Sequence, residues 1–225
     1  MKSYIIHFIR HGSIDDTLAG KYIGTTDAPL SDRGRMDLRK LDYEYKYPGT
    51  QVVFTSPLKR CTETAKILYP EQNPLVIDNL SECNFGEWEG KTADELKNDP
   101  DFEKWLAGDS SVKPPRGESN ADFTRRVCKM FESIVEGLMK TGTTESVIVT
   151  HGGVIMTLLA VYGLRLNGQW TTVSAIHSEL LLYFGRGIKS AKFFRRFRFR
   201  QRMTDFLKLW QNCSTIYNLL PYIVG

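Results

Sequence analysis

Two histidines, two arginines and one glutamate carry the chemistry open to this sequence. His11 lies between Arg10 and Gly12, directly after the β-branched and aromatic run Tyr4-Ile5-Ile6-His7-Phe8-Ile9. His151 lies between Thr150 and Gly152-Gly153, directly after Ser146-Val147-Ile148-Val149. Such runs read as buried strands, so each imidazole is delivered to a strand's carboxyl end. Ligands gather at that end of a parallel sheet. Arg10 supplies a fixed positive charge beside His11, and Gly12 lets backbone approach an anion. Arg60, in Ser56-Pro57-Leu58-Lys59-Arg60, adds a second guanidinium one turn into a helix whose N-terminus also favours an anion. Glu82 stands among aromatic residues, where burial can raise a carboxyl into the range of a general acid. Taken singly, each has a plainer reading: a structural strand-end histidine, a solvated helix charge, a satisfied buried imidazole. Their coincidence in one chain is the signal.

The elements that must position these groups alternate along the sequence. Strands are predicted at residues 4–9, 51–55, 74–78 and 146–150, with a closing hairpin of residues 179–184 and 188–194 around Gly185-Arg186-Gly187. Helices are predicted from Ser31 as cap to about Tyr43, from Ser56 as cap and Pro57 at the first helical position to about Tyr69, and from Ser119 as cap through an apolar stripe of Phe123, Val127, Phe131, Ile134, Val135 and Leu138. Others are expected at residues 154–162 and 204–220. Thr92-Ala93-Asp94-Glu95 has capping-box spacing within a loop-rich middle. Alternating strands and helices imply an α/β fold of three layers, a mostly parallel sheet flanked by helices.

The chain has 225 residues, 41% hydrophobic and 25% charged, enough to bury a core without a disulfide or a metal. No run of about eighteen uncharged apolar residues marks a membrane span, and residues 1–10 are too short and too polar for a secretory signal. Cys61, Cys83, Cys128 and Cys213 are scattered without metal-ligand spacing, which points to reduced thiols in a cytoplasmic protein. The net charge of +4 hides an asymmetry: residues 1–185 carry 21 Lys+Arg against 25 Asp+Glu, residues 186–225 nine against one. Any nucleic-acid argument must therefore rest on the tail.

Read in order, RHG at Arg10, SPLKRCTETA from Ser56, LSECNFGEWEG from Leu80 and VTHGGVI from Val149 resemble the histidine phosphatase superfamily, which includes phosphoglycerate mutases. The resemblance runs from Tyr4 to Leu159 and more loosely to Phe194. It suggests a phosphatase domain at residues 1–194 and a basic, helical extension at residues 195–225. Lys21-Tyr22-Ile23-Gly24-Thr25-Thr26-Asp27-Ala28-Pro29-Leu30-Ser31 and Pro115-Arg116-Gly117-Glu118-Ser119 look most like alpha-ribazole phosphatases and broad-specificity phosphatases. What the resemblance implies is hydrolysis of a small phosphorylated metabolite through a phosphohistidine on His11, with no cofactor or metal. Arg10, Arg60 and His151 would surround the phosphoryl group and Glu82 would protonate the leaving alcohol. Gly12, Thr17, Gly24 and Gly152 would lie against the substrate.

Departures from the mutase pattern favour hydrolysis. Glu82 is followed by Cys83, Asn84 and Phe85 where mutases commonly have arginine, histidine and tyrosine, and Thr17 and Ile23 replace Asn and Thr. The middle segment is shorter, and a mutase must keep water off its phosphoenzyme. Met156 stands where many relatives have arginine. Phe193-Phe194-Arg195-Arg196-Phe197-Arg198-Phe199-Arg200 alternates aromatic and basic residues. It reads as an edge strand followed by a packed helix, in preference to a nucleic-acid patch. No membrane partner is expected, and a homodimer is left open. His7 and His177 read as structural. Glu87 and Glu89 read as loop surface or as aids to substrate placement.

Overall fold

The computed structural model describes residues 2–109, 111–162, 177–184 and 192–194, the last two stretches as strands. In chain order its elements are β1 (Lys2–Arg10), α1 (Asp32–Tyr45), β2 (Val52–Thr55), α2 (Lys59–Leu68), β3 (Leu75–Val76), α3 (Ala93–Leu96), α4 (Pro100–Leu106), α5 (Asn120–Thr141), β4 (Glu145–Thr150), α6 (Gly152–Tyr162), β5 (His177–Phe184) and β6 (Lys192–Phe194).

Successive side chains of a strand point to opposite faces of the sheet. In β1, Tyr4, Ile6 and Phe8 enter one apolar cluster and Ile9 enters another; in β4, Ile148 joins the first and Val147 and Val149 the second. Strands apolar on both faces need a helix layer on each side. Helices α5 and α6 cover the first face through Phe123, Val127, Phe131, Val154 and Leu158, and α1 and α2 cover the second through Leu38, Cys61, Ala65 and Leu68. The three-layer α/β/α architecture expected from the sequence is present.

The sheet order is β3-β2-β4-β1-β5-β6. Strands β1 to β4 are mutually parallel, and β5 runs antiparallel to β1 and to β6. The chain leaves β1 for β2, and β4 later fills the place between them. Arg10 pairs in register with Thr150 and Thr55 with Val149. Three strands therefore end side by side, and the residues after them, His11, Ser56 and His151, leave the sheet together at the switch point, where such folds bind ligands.

The helix caps read from sequence mostly hold. Ser31 Oγ accepts from the Gly34 N–H, Ser119 Oγ accepts from the Asp122 N–H, and Thr92 and Glu95 form a complete capping box. Helix α2 is the exception. It starts at Lys59 with Leu58 as its N-cap residue, because Ser56 is drawn to His151 and the Lys59 N–H is taken at 2.7 Å by Asp27 from another loop. The anion at this helix start is thus a side chain of the protein. Strand β3 is shorter than predicted, since it lies at the sheet edge with Leu75 and Val76 more than half exposed. Helix α6 starts two residues earlier than predicted, at Gly152.

A satellite cluster of Tyr22, Trp88, Leu96, Phe102 and Trp105 anchors the middle segment. Trp88 packs edge-on against Phe102, its ring centroid 5.3 Å away, and its indole N–H donates to Asp99. Strands β5 and β6 pair antiparallel with Leu181 opposite Phe194, as the hairpin pattern predicts. The turn at residues 185–191, the basic tail from Arg195 and the helix expected at residues 204–220 lie outside the described residues.

Candidate active site

The turn after β1 holds His11 by both its main chain and its ring. Its N–H donates to the Thr150 carbonyl of β4, and the next N–H, of Gly12, donates to Thr64 Oγ1 at 3.1 Å. The ring nitrogen Nδ1 lies 2.8 Å from the Gly12 carbonyl oxygen. A carbonyl can only accept, so the proton of the neutral ring is on Nδ1 and the lone pair is on Nε2. Burial, followed by the charges of Arg10 and Arg60, holds the imidazole well below its ordinary value, with the Gly12 carbonyl pulling the other way. His11 is therefore a neutral base at physiological pH.

His151, fully buried at the end of β4, has the opposite tautomer. The Nε–H of Arg60 donates to its Nδ1 at 3.3 Å, which puts the ring proton on Nε2, 2.7 Å from Ser56 Oγ. Its ring meets that of His11 edge-on, with centroids 5.2 Å apart. Burial first, and then coupling to His11 and the charges of Arg60 and Arg10, hold it well below its ordinary value too. Arg60 is itself buried, and its terminal nitrogens donate to the carbonyls of Thr26 at 2.7 Å and Gly24 at 2.6 Å. Arg10 crosses Gly152 at the start of α6, where a Cβ would sit 3.6 Å from its Nε.

Glu82 reaches the same helix start. Its carboxylate accepts from the Gly153 N–H at 2.9 Å and from its neighbour Cys83 at 3.0 Å. A Cβ on Gly153 would sit 2.3 Å from Glu82 Oε1, so the close approach requires glycine. Burial raises the carboxyl above its ordinary range, outweighing these two hydrogen bonds and the charges of Arg60 and Arg10. The loop bearing Glu82 is tied down at several points. Thr150 Oγ1 donates to the Leu80 carbonyl, and Arg126, doubly bonded to Glu118, donates to the carbonyls of Asn79, Ser81 and Glu82. A cleft of about 340 Å³ adjoins Glu82, lined also by Thr25, Ser81, Asn84, Glu118 and Arg126.

The structure thus brings Arg10, His11, Arg60, Glu82 and His151 together, with Gly12, Gly24 and Gly152 in the frame around them. Thr17 lies in an exposed turn, its N–H held by Asp15; among the described residues no hydrogen bond joins it to the five. His7 is buried within β1, its Nε2 3.4 Å from Glu145 Oε1. Sequence reasoning missed Ser56, read as a helix cap, and Thr64 and Arg126, and left Glu89 with Glu87 as loop surface or an aid to substrate placement. Thr64 follows Arg60 by one helical turn, the spacing that places two side chains on one face; for Arg126 no local signal exists. Among the described residues no group of three His, Cys, Asp or Glu side chains is placed to hold a metal ion, and no helix is long and apolar enough to cross a membrane.

The profile of the histidine phosphatase superfamily (branch 1) matches residues 6–184. The chain belongs to this superfamily. Its enzyme class is phosphatase, in line with the names of its relatives. It is 30% identical over 183 residues to "Phosphoserine phosphatase 1" of Hydrogenobacter thermophilus, covering 76% of this chain and 85% of that one. It is 27% identical over 156 residues to "Adenosylcobalamin/alpha-ribazole phosphatase" of Salmonella typhimurium, covering 68% and 76%. Among solved structures, the alpha-ribazole phosphatase of Shigella flexneri superposes with a TM-score of 0.66 at 21% identity, covering 85% of this chain and 95% of that one, a likeness of fold.

Proposed function

We propose that this member of the superfamily is a phosphomonoester hydrolase that works through a phosphohistidine on His11. The observation that carries the reading is the Nδ1 contact with the Gly12 carbonyl, which leaves Nε2 with its lone pair beside two guanidiniums. In the first step Nε2 attacks phosphorus and the bond to the ester oxygen breaks. Protonated Glu82 gives its proton to that oxygen, so the leaving group departs as an alcohol. Water then attacks phosphorus, Glu82 takes the proton, the P–N bond breaks and inorganic phosphate is released. Arg10 and Arg60 supply fixed charge for the equatorial oxygens, a task that needs no metal ion. His151 keeps Arg60 oriented by accepting its Nε–H.

The leaving alcohol would enter the cleft beside Glu82. The relatives' names support two substrates to try first, phosphoserine and alpha-ribazole phosphate. The cytoplasm fits the free thiols Cys61, Cys83 and Cys128, which stay reduced there. The test is to measure phosphate release from a panel of small phosphomonoesters alongside interconversion of 2- and 3-phosphoglycerate. Release with an acid-labile phosphoenzyme is expected; rapid interconversion with little release would establish a mutase and overturn the proposal.

A further inference from the structure

We infer that Glu89 is a positioning residue for Arg60, gripping the turn at residues 24–26 from one side while the carbonyls of that turn grip the guanidinium from the other. This rests on the reading of Arg60 as a phosphoryl-binding group. The Glu89 carboxylate accepts from the N–H groups of Gly24 at 3.1 Å, Thr25 at 2.7 Å and Thr26 at 3.1 Å, and from the hydroxyls of Thr25 and Thr26. The carbonyls of Gly24 and Thr26 accept from the two terminal nitrogens of Arg60. Carboxylate and guanidinium thus polarise the same short stretch of backbone from opposite ends, an arrangement in which each hydrogen bond strengthens the next. Burial works against the charge on Glu89, but the Thr26 hydroxyl and the three N–H groups outweigh it and hold the carboxyl below its ordinary range. Gly24 makes the grip possible, since a Cβ there would lie 1.8 Å from the Cys83 carbonyl oxygen and 2.6 Å from Glu89 Oε1.

With its Nε–H spent on His151 and one N–H of each terminal nitrogen spent on this turn, Arg60 keeps one further N–H on each for a phosphoryl oxygen. The direction of those two donors is set by the turn, and the turn by Glu89. Its neighbour Glu87 makes no such frame: it forms an exposed ion pair with Arg116. In Glu89→Gln an amide NH₂ would face backbone donors, and the turn would lose its anchor.

The experiment is a double-mutant cycle read by orthovanadate inhibition and by kcat/KM with p-nitrophenyl phosphate. Glu89→Gln is expected to weaken vanadate inhibition and lower kcat/KM about tenfold, as misaimed donors do. In an Arg60→Ala background the same change is expected to cost less than about twofold, because the two residues act as one unit. Equal losses in both backgrounds, or none in the first, would overturn the positioning role. Should Glu89→Gln fail to fold, Thr26→Val removes a single donor to the carboxylate; a smaller loss, absent when Arg60 is alanine, supports the role, and an unchanged enzyme refutes it. If Arg60→Ala itself leaves inhibition and turnover intact, the phosphoryl-binding reading of Arg60 fails and this one goes with it. Damage by Arg60→Ala with additive effects of Glu89→Gln defeats the positioning role alone.

Discussion

His11 and His151 stand with ring centroids 5.2 Å apart in opposite tautomers, one protonated at Nδ1 against the Gly12 carbonyl, the other at Nε2 against Ser56 Oγ. The arrangement separates their tasks. His11 keeps a lone pair on Nε2, whereas both nitrogens of His151 are engaged by protein groups.

His11→Ala is expected to abolish phosphoenzyme formation, read as loss of the phosphohistidine signal by phosphorus NMR. Because burial, Arg10 and Arg60 depress the His11 imidazole, the acid limb of kcat/KM is expected below pH 6.5. Arg10→Gln removes one positive neighbour and should move that limb upward. A limb at or above 6.5 in the unaltered enzyme would contradict the neutral base.

Glu82→Gln should lower kcat/KM, which reports phosphoenzyme formation alone, far more for alkyl phosphates than for p-nitrophenyl phosphate, since only a poor leaving group needs the proton, with a difference of about 10²-fold. The raised carboxyl also predicts that turnover of alkyl phosphates persists above pH 4.5 and falls as Glu82 ionises. Equal losses on both substrates would remove Glu82 from the role of acid.

Arg126 fastens the Glu82 loop through a two-pronged pair with Glu118, at 2.9 and 2.8 Å, and three carbonyls. Arg126→Ala strands a largely buried carboxylate and is expected to cost about 3 kcal/mol of stability, read by urea denaturation. Arg126→Lys cannot reproduce the fork and should recover little of it. A loss within about 0.5 kcal/mol, the range of ordinary surface changes, would show that the loop holds without this tie.

Stability should depend on pH through the depressed histidines. His151 is held below 6.5 in the folded chain, so below that pH the unfolded chain binds the extra proton. Its contribution is full above 6.5 and is lost as pH falls toward the folded value, at about 1.4 kcal/mol per pH unit for one such residue. His11 adds a slope of the same sign. Glu82 acts oppositely: with its folded value raised, its contribution is full below 4.5 and is lost as pH rises from there through the folded value. Urea midpoints between pH 6.5 and 5.5 in a Glu82→Gln background isolate the histidines. Stability that rises on acidification there would reverse the sign.

Much of this molecule was legible before its structure. Residues 4–9 and 146–150 are mostly apolar, β-branched or aromatic at successive positions, the pattern of a strand covered on both faces; that reading sends His11 and His151 to carboxyl ends. Local capping chemistry marked the starts of α1, α3 and α5, because those bonds span three residues. Sequence could not show that β4 would insert beside β1, the step that makes His11 and His151 neighbours. It could not separate Glu87 from Glu89, two acids in one loop with the same local setting, of which one meets an exposed Arg116 and the other the turn at residues 24–26. Nor could it tell that Ser56 would serve His151 instead of a helix. Strand and cap preferences arise from neighbouring residues, whereas ring tautomers, the aim of a guanidinium and the burial that shifts a carboxyl depend on groups tens of residues away, which only the folded chain brings within hydrogen-bond reach.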